Sequence, residues 1–284
     1  MRLPHIIVLV LLLTNLPGCS KTRDRASDQA RQSVDSTMSD SRSGTFETAF
    51  GLSCLSGDSL ILFEDNSRPA PTSLYAVCQT EQPIPLSFLR HQQAENRSGR
   101  ITARNFQSIP GPIFLSHEYS LPPDQTILIV SSHFLAHHRP LLVGDLGCVP
   151  LDTMTIRRIE TERRLRVQFS WTLCRLGPSA RMALVQYLPA DSAQLVSLVL
   201  IRTESLAFED YIGDRSEEGS VWRVDDGGAF NPHEFRIIAA FDSVGSLSIA
   251  RSWAGQEGDN AVLYSVVGKQ LVPILTAYRY WAPE

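Results

Sequence analysis

The sequence has 284 residues, with 26 Lys and Arg, 30 Asp and Glu, and a formal net charge of −4. Residues 1–45 hold six of the basic and four of the acidic residues, so the part from Phe46 to Glu284 is more acidic still. This balance disfavours a nucleic-acid partner, because a phosphate backbone is bound through clustered positive charge. Phe46–Glu284 is long enough for one large domain or two small ones.

Residues 1–18 predict a secretory signal peptide. Arg2 is the only charged residue before Lys21, and an unbroken apolar run extends from Ile6 to Leu13. A weakly positive start followed by a short apolar run is typical of an export signal. Crossing a bilayer would take about 20 apolar residues, so we do not interpret this run as a membrane span.

The signal ends at Leu16-Pro17-Gly18-Cys19, which resembles the lipobox of bacterial lipoproteins. In that family the chain is cleaved before the cysteine, which receives a diacylglycerol on its thiol and a fatty acyl chain on its new amino group. Pro17 departs from the family pattern, where Ala, Ser or Thr is usual. The alternative is a buried core cysteine behind an uncleaved anchor.

The resemblance implies that Cys19 is acylated and that the mature chain is anchored in a bacterial membrane, on the periplasmic or surface side. Ser20, in place of an Asp, implies the outer membrane. Residues 19–45 are then a flexible tether, because they lack aromatic residues and mix Ser, Asp and Arg throughout. The domain that follows is predicted to span residues 46–284.

The four remaining cysteines predict two disulfides, since the count is even in an exported protein. Cys54 with Cys78 and Cys148 with Cys174 are the neighbouring pairs along the chain. Both stretches show a strand-like run, a polar turn and a second strand that ends in Cys, which predicts two disulfide-closed hairpins. A metal site is the alternative, although no C-x2-C pair is present.

Gly57-Asp58-Ser59-Leu60 matches the signature of GDSL-type esterases, in which the serine is a nucleophile. That chemistry needs a base within hydrogen-bond reach. The only late histidine, His233, has Phe230 rather than Asp three residues before it. A turn that enters a strand is therefore the preferred interpretation of Ser59.

A histidine cluster follows the strand predicted at Thr126–Ser131. His133 and His137 would share one face of a helix, as zinc ligands do. His138 adjoins them, and His117 is a further potential ligand. No Glu follows His133, so a histidine-bearing surface loop is the preferred interpretation and no metal or other cofactor is predicted.

Mixed charge in Ile156–Arg166 predicts a self-neutralised hairpin tip, with contact to an anionic lipid or glycan as the alternative. Period-two alternation predicts a half-buried strand at Leu165–Cys174. A similar pattern of apolar and polar residues predicts six further strands, at Leu195–Arg202, Val221–Val224, Arg236–Phe241, Leu247–Trp253, Ala261–Val267 and Leu271–Thr276.

Many short strands punctuated by Pro and Gly predict an all-β antiparallel fold, either propeller-like blades or a two-sheet sandwich. The segment Phe235–Leu275 resembles a degenerate FG-GAP/VCBS-type propeller blade, with VLY at Val262–Tyr264 and a G-x-x-L strand from Gly268. The acidic loop of that family is reduced to Asp242, and calcium needs six to eight oxygen ligands. The resemblance therefore implies a blade without a calcium site.

The late aromatic residues are predicted to pack in the core and at its rim rather than to line a ligand face. Together these features predict a lipid-anchored, extracytoplasmic, non-enzymatic binding or structural module with an unknown protein or glycan ligand. A divergent hydrolase or metal-dependent enzyme is the alternative. It requires Ser59 with a histidine and a carboxylate, or three of the histidines, to meet in one cleft.

Overall fold

The computed structural model describes residues 47–63, 73–96, 98–117, 119–189, 193–214, 221–223 and 226–281. The predicted signal peptide, Cys19 and the tether lie outside these ranges. The described residues belong to one compact unit. They are mostly in β-strands with antiparallel pairing, which confirms the predicted all-β class.

The described residues form sixteen strands, two α-helices and two 3₁₀ helices. The strands are β1 (Thr48–Ser53), β2 (Ser59–Leu62), β3 (Leu74–Val77), β4 (Ile84–Gln92), β5 (Gly111–Ser116), β6 (Thr126–Ser131), β7 (Arg139–Pro140), β8 (Val143–Val149), β9 (Val167–Leu176), β10 (Ala180–Tyr187), β11 (Ala193–Arg202), β12 (Leu206–Asp214), β13 (Phe235–Ser243), β14 (Ser246–Ala254), β15 (Gly258–Val267) and β16 (Gln270–Tyr280). The helices are α1 (Ser132–His137), α2 (Thr153–Arg163) and the 3₁₀ turns Ala103–Ser108 and Pro232–Glu234.

The first six strands form a closed barrel in the order β1-β2-β5-β4-β3-β6. Side chains alternate between the two faces of each strand. Ala49 therefore points into the barrel, whereas its neighbour Phe50 points away from it. The barrel interior is filled by apolar residues, among them Leu60, Leu62, Leu74, Ala76, Phe114, Ile127 and Ile129.

The other ten strands form one sheet in the order β7-β13-β14-β15-β16-β12-β11-β10-β9-β8. Every pairing is antiparallel except that of β12 with β16, which is parallel and consists of the single pair Phe208 and Gln270. The Leu141 N–H donates to the Ala240 carbonyl and the Gly177 N–H to the Leu142 carbonyl, both at 2.9 Å. Because Leu141 and Leu142 are consecutive residues, these bonds place the two edges of the sheet next to each other, and the sheet is curled into a half-barrel.

The curled sheet is covered by apolar contacts on both faces. Its interior holds residues such as Leu176, Met182, Leu198, Ile249 and Tyr264. The outer face of β13–β15 packs against the barrel through the cluster of Phe50, Val77, Leu128, Val130, Phe134, Ile238, Ala239, Phe241, Ala250, Ala261 and Leu263. Helix α2 covers the outer face of β10–β12 through Ile159, which is fully buried.

Most predicted strands are present with nearly the predicted bounds, including β6 at Thr126–Ser131. The sequence left open propeller blades or a two-sheet sandwich, and the strands are arranged instead as a barrel and one continuous curled sheet. Phe235–Leu275, the segment that resembles a blade, contributes β13–β16 to that sheet. Among the described helices, none is long and apolar enough to cross a membrane.

The strand predicted at Val221–Val224 is wrong for residues 221–223, which are bends, and Val224 lies outside the described ranges. The physical reason is the carboxylate of Asp226, which accepts hydrogen bonds from the backbone N–H groups of residues 221–223 at 2.6 to 3.1 Å. Donors turned toward one carboxylate are unavailable for a sheet ladder.

The two predicted hairpins are also wrong. Strand β2 pairs with β1 and β5, whereas β3 pairs with β4 and β6, so β2 and β3 are not partners. In the second stretch, the supposed hairpin tip is helix α2, which starts because the Asp152 carboxylate accepts from the Thr155 N–H at 2.8 Å. An N-cap of this kind satisfies a backbone donor that lacks a helical partner.

Candidate anion-binding site

Ser59 lies at the start of β2, as the preferred interpretation required, and has no histidine partner in the described part of the chain. Its hydroxyl donates to the Asp58 carboxylate at 2.9 Å and to the Cys54 sulfur at 3.2 Å. Hydrogen bonds from Cys54, Ser56 and Ser59 hold the pKa of Asp58 below its usual range. A serine beside an acid alone lacks the base that nucleophilic catalysis needs.

The predicted histidine cluster is divided between several environments. His133 and His137 share a face of α1 with ring centroids 5.3 Å apart, and His133 Nδ1 lies 3.1 Å from the Glu47 carboxylate. His138 is turned away and stacks on Phe134 at 3.9 Å. His117 follows β5 in the barrel. Within the described ranges, no three His, Cys, Asp or Glu side chains are grouped so that they could hold a metal ion.

The four cysteines Cys54, Cys78, Cys148 and Cys174 are free thiols in the structure. Cys54 follows β1 and Cys78 follows β3, and β6 lies between those strands. Two strand spacings amount to about 10 Å, whereas a disulfide needs Cα atoms within about 7 Å. The geometry therefore does not support the 54–78 bridge.

The second predicted pair is better placed. Cys148 and Cys174 lie on the neighbouring strands β8 and β9, next to a register shift between Asp145 and Val149, and both contact the same apolar core. Burial raises the pKa of the Cys174 thiol to about 12 and raises that of Cys148. Burial likewise raises the pKa of Cys78 to about 12. The 148–174 bridge stays a prediction for oxidising conditions.

Most of the late aromatic residues pack inside the half-barrel, as expected from the sequence, whereas Tyr278 is exposed. Phe235 and Trp253 have ring centroids 4.7 Å apart, and Phe230 contacts both. Arg251 is buried next to them, a residue that the sequence analysis did not single out. Its Nε donates to the Tyr264 hydroxyl at 3.0 Å, and its Nη1 donates to Asn260 at 2.8 Å. Arg251 thus has partners for these donors, whereas the buried indole N–H groups of Trp222 and Trp253 have none within the described ranges. We assign the cluster to the core because its rings pack on one another.

A buried ion network joins the barrel to the curled sheet. Asp259 on β15 accepts from the Thr126 hydroxyl of β6 at 3.1 and 3.2 Å. Arg279 on β16 donates to the carbonyls of Ile101 and Asp124 at 2.7 and 2.9 Å and pairs with the Asp124 carboxylate. Burial raises the pKa of Asp259 against the opposing effect of Arg279. Because these groups satisfy one another, we assign the network to structure.

An arginine-lined cleft differs from both networks because its charges are of one sign. It has a volume of about 400 Å³ and lies where α2 meets the turns after β9 and β11. Its lining consists of Thr155, Arg158, Arg175, Pro178, Ser179, Ala180, Arg181, Ile201, Arg202 and Thr203. Among the described residues, no Asp or Glu belongs to that lining.

The strand register forces two of these charges together. Arg175 of β9 stands directly opposite Arg181 of β10 in the antiparallel ladder. Like charges in that position destabilise a sheet. Arg181 has one carboxylate at the rim, Asp152, at 3.5 Å. Within the described ranges, neither Arg175 nor Arg202 forms an ion pair.

Two of the arginines are held in place by neutral partners. Arg158 Nη1 donates to the backbone carbonyl of Arg202 at 2.7 Å, and Arg181 Nη2 donates to the Thr155 hydroxyl at 3.3 Å. The bond to the carbonyl fixes Arg158 without neutralising it, whereas Asp152 offsets the charge of Arg181 at the rim. The cleft is therefore a preorganised positive site, suited to phosphate, sulfate or carboxylate oxygens.

A second cleft adjoins the first and opens at the mouth of the half-barrel, with a volume of about 460 Å³. The two share Arg202, Thr203 and residues 178–180. Across the mouth, Arg139 pairs with Asp242 at 3.4 Å, and Glu204 lies on the rim. The positive region is thus centred on the arginine-lined cleft.

This site was not predicted from the sequence, because its arginines come from four elements. Arg158 was assigned to a neutral hairpin tip, and Arg175, Arg181 and Arg202 lie at the ends of predicted or unpredicted strands. The sequence does carry one signal for this site. Arg175 follows the apolar run of β9, Arg181 precedes that of β10 and Arg202 follows that of β11, so antiparallel pairing brings all three to the same end of the sheet. Comparison of the chain with protein-family models, with curated proteins and with solved structures finds no match.

Proposed function

We propose that this chain is a membrane-anchored extracytoplasmic lipoprotein whose folded part is a non-enzymatic binding module for an anionic group. The observation that carries the binding role is the placement of Arg175 opposite Arg181 in a cleft whose described lining contains no carboxylate. Two arginines opposite each other destabilise the sheet by repulsion when the cleft is empty. A bound anion would supply the negative charge that removes this repulsion.

The ligand chemistry follows from the guanidinium group. Arginine presents several N–H donors in a plane, and these match the paired oxygens of phosphate, sulfate or carboxylate groups. The hydroxyls of Thr155, Ser179 and Thr203 add neutral donors around the same cleft. The anionic group would be carried by a lipid, a glycan or the surface of a protein.

The alternative enzyme function has less support. It required Ser59, a histidine and a carboxylate, or three histidines, to meet in one cleft. In the described part of the chain, Ser59 contacts Asp58 and Cys54, and the histidines do not meet in a group of three, since His138 stacks on Phe134 away from the neighbours His133 and His137. A binding role requires neither a catalytic triad nor a set of three metal ligands.

The anchoring part of the proposal is tested by replacing the acylated residue. We expect Cys19→Ser to abolish labelling by a fatty-acid probe and to release the protein from membranes, because stable attachment takes more than one acyl signal. The measurements are metabolic labelling and fractionation of wild type and variant. Wild-type protein that is soluble and unlabelled would contradict the proposal.

The binding part is tested with a soluble anion. We expect full-length protein in detergent to bind inorganic tripolyphosphate in calorimetric titrations, and the double variant Arg175→Ala/Arg202→Ala to bind at least about tenfold more weakly. The control is Arg90→Ala/Arg166→Ala, which removes the same charge from β4 and from the residue just before β9. Equal affinities for both double variants would contradict the assignment of the cleft.

A further inference from the structure

One end of the half-barrel gathers four of its tight turns. Because consecutive strands are antiparallel and β12 runs parallel to β16, four turns lie at the same end. They connect β9 to β10, β11 to β12, β13 to β14, and β15 to β16. We call this end the turn face, and the arginine-lined cleft opens beside it.

The chain enters the domain at this same end. The Ser131 N–H donates to the Glu47 carbonyl at 2.8 Å, which places the start of β1 beside the start of α1. Phe134 of α1 then packs edge-on against Phe241 at 5.1 Å, next to the β13–β14 turn. Residues 1–46, which contain the predicted acylation site, are therefore joined to the domain near the turn face.

The turn face also carries exposed apolar tips. Val244 is fully exposed, and Leu142 and Val267 are 52% and 60% exposed. Apolar tips beside basic residues are characteristic of surfaces that rest in a membrane interface. On the same face, Lys269 pairs with Glu162 at 2.6 Å, so part of the charge at this end is already neutralised. Within the described ranges, the remaining positive charge at this end is that of Arg158, Arg175 and Arg202, and Glu204 of the β11–β12 turn offsets part of it.

We propose that the turn face docks on the surface of an anionic phospholipid bilayer, with a lipid phosphate in the arginine-lined cleft and the apolar tips at the headgroup level. This inference rests on the proposed function, since the acyl chains on Cys19 would hold the domain at the membrane. If residues 20–45 form the predicted flexible tether, its length of about 26 residues corresponds to an average span of roughly 28 Å. At the resulting effective concentration, a weak docking contact is sufficient.

The test uses the acylated protein reconstituted in vesicles of phosphatidylcholine alone or with about 30 mol% phosphatidylglycerol. Hydrogen exchange is measured at the turn face and, as an internal control, at the β14–β15 turn of the opposite end. We expect the turn-face amides to exchange about tenfold more slowly on anionic vesicles, and the control turn to be unchanged.

Two sets of variants locate the contact. Arg175→Ala/Arg202→Ala should weaken docking about 30-fold, at the strength typical of two arginines near an anionic surface. Val244→Ser/Val267→Ser should also reduce protection. The matched controls are Arg90→Ala/Arg166→Ala and Leu188→Ser/Ile212→Ser, which change the same residue chemistry away from the turn face and should leave protection intact.

Each alternative outcome has a defined meaning. Equal protection on neutral vesicles, or equal loss in the control variants, would overturn the docking. Tight tripolyphosphate binding without protection on anionic vesicles would also overturn it, and would assign the cleft to a soluble anion while leaving the proposed function intact. Loss of fatty-acid labelling at Cys19 would identify failure of the anchor separately.

Discussion

Asp226 shows how one carboxylate sets the path of a segment. It accepts backbone N–H groups from residues 221–223 and from Gly228, the last at 2.8 Å. Burial raises the pKa of Asp226, but the four backbone donors outweigh that effect and hold its pKa below the usual range. The ionised side chain therefore stabilises this turn, which positions Trp222 over Gly213.

We predict that Asp226→Asn lowers stability by about 1 kcal/mol, allowing for its partial exposure. Because the folded pKa is depressed, the contribution of Asp226 is present above its unfolded pKa, near 3.9, and is lost as pH falls through the folded pKa. The measurement is the thermal midpoint of wild type and variant between about pH 3 and 7, which spans the ordinary Asp pKa. Asp145→Asn is the control, since in the described part of the chain its carboxylate accepts a single backbone N–H, that of Gly147. A Tm difference from wild type that persists unchanged at the acid end would contradict the assignment.

The cysteines give a second prediction at the residue scale. We expect peptide mapping of oxidised, exported protein to show Cys148 joined to Cys174, whereas Cys54 and Cys78 remain thiols, because β6 separates them. Native Cys78 should react slowly with iodoacetamide, since burial raises its pKa to about 12 and the thiolate is the reactive form. A peptide that links Cys54 to Cys78 would contradict the described barrel order.

At the scale of elements, α2 is the one long helix of the described chain, and a single side chain starts it. We predict that Asp152→Ala destabilises the protein by about 1 kcal/mol, because the Thr155 N–H loses its acceptor. Asp152→Asn keeps the cap and removes the ion pair with Arg181, so its Tm should stay close to that of wild type. If both variants lose equal stability, the ion pair rather than the cap is responsible.

The sequence predicted the strands far better than this helix. Period-two alternation is a local signal, and it located β6 and β11 within two residues. Helix α2 has only one fully buried side chain, Ile159, so it lacks an apolar stripe. Its arginines and glutamates were equally consistent with a polar turn. The pairing of strands depends on residues far apart in sequence, so the barrel and the curled sheet were not predictable from local pattern.

The candidate site was less predictable than the fold for a related reason. Arg158, Arg175, Arg181 and Arg202 become neighbours only through the register of β9, β10 and β11 and the position of α2. A one-residue slip in a strand moves its side chains to the other face. The sequence motifs that suggested chemistry, at Ser59 and His133, were local, and the structure does not bring their partners together.

At the scale of the whole molecule, the buried ion network couples the two sheets. We predict that Arg279→Met destabilises the protein by about 3–5 kcal/mol, because Asp259 is left without its main counter-charge in a buried position. Denaturant unfolding measures the effect, and the transition should remain single. Arg139→Met breaks an exposed pair with Asp242 and should cost at most about 1 kcal/mol. Equal losses in the two variants would contradict the coupling role.

The packing of the barrel on β13–β15 has a consequence for biosynthesis. The barrel strands end at Ser131, and the strands that cover its outer face begin at Phe235, about 100 residues later. At about 5–20 residues per second, the barrel emerges several seconds before its cover does. Until those strands arrive, a barrel that has already folded would expose an apolar patch of Phe50, Leu128 and Val130, all of which are buried in the finished protein. A molecular chaperone that holds extended apolar surface would act on this patch, and its release would coincide with the arrival of the C-terminal strands.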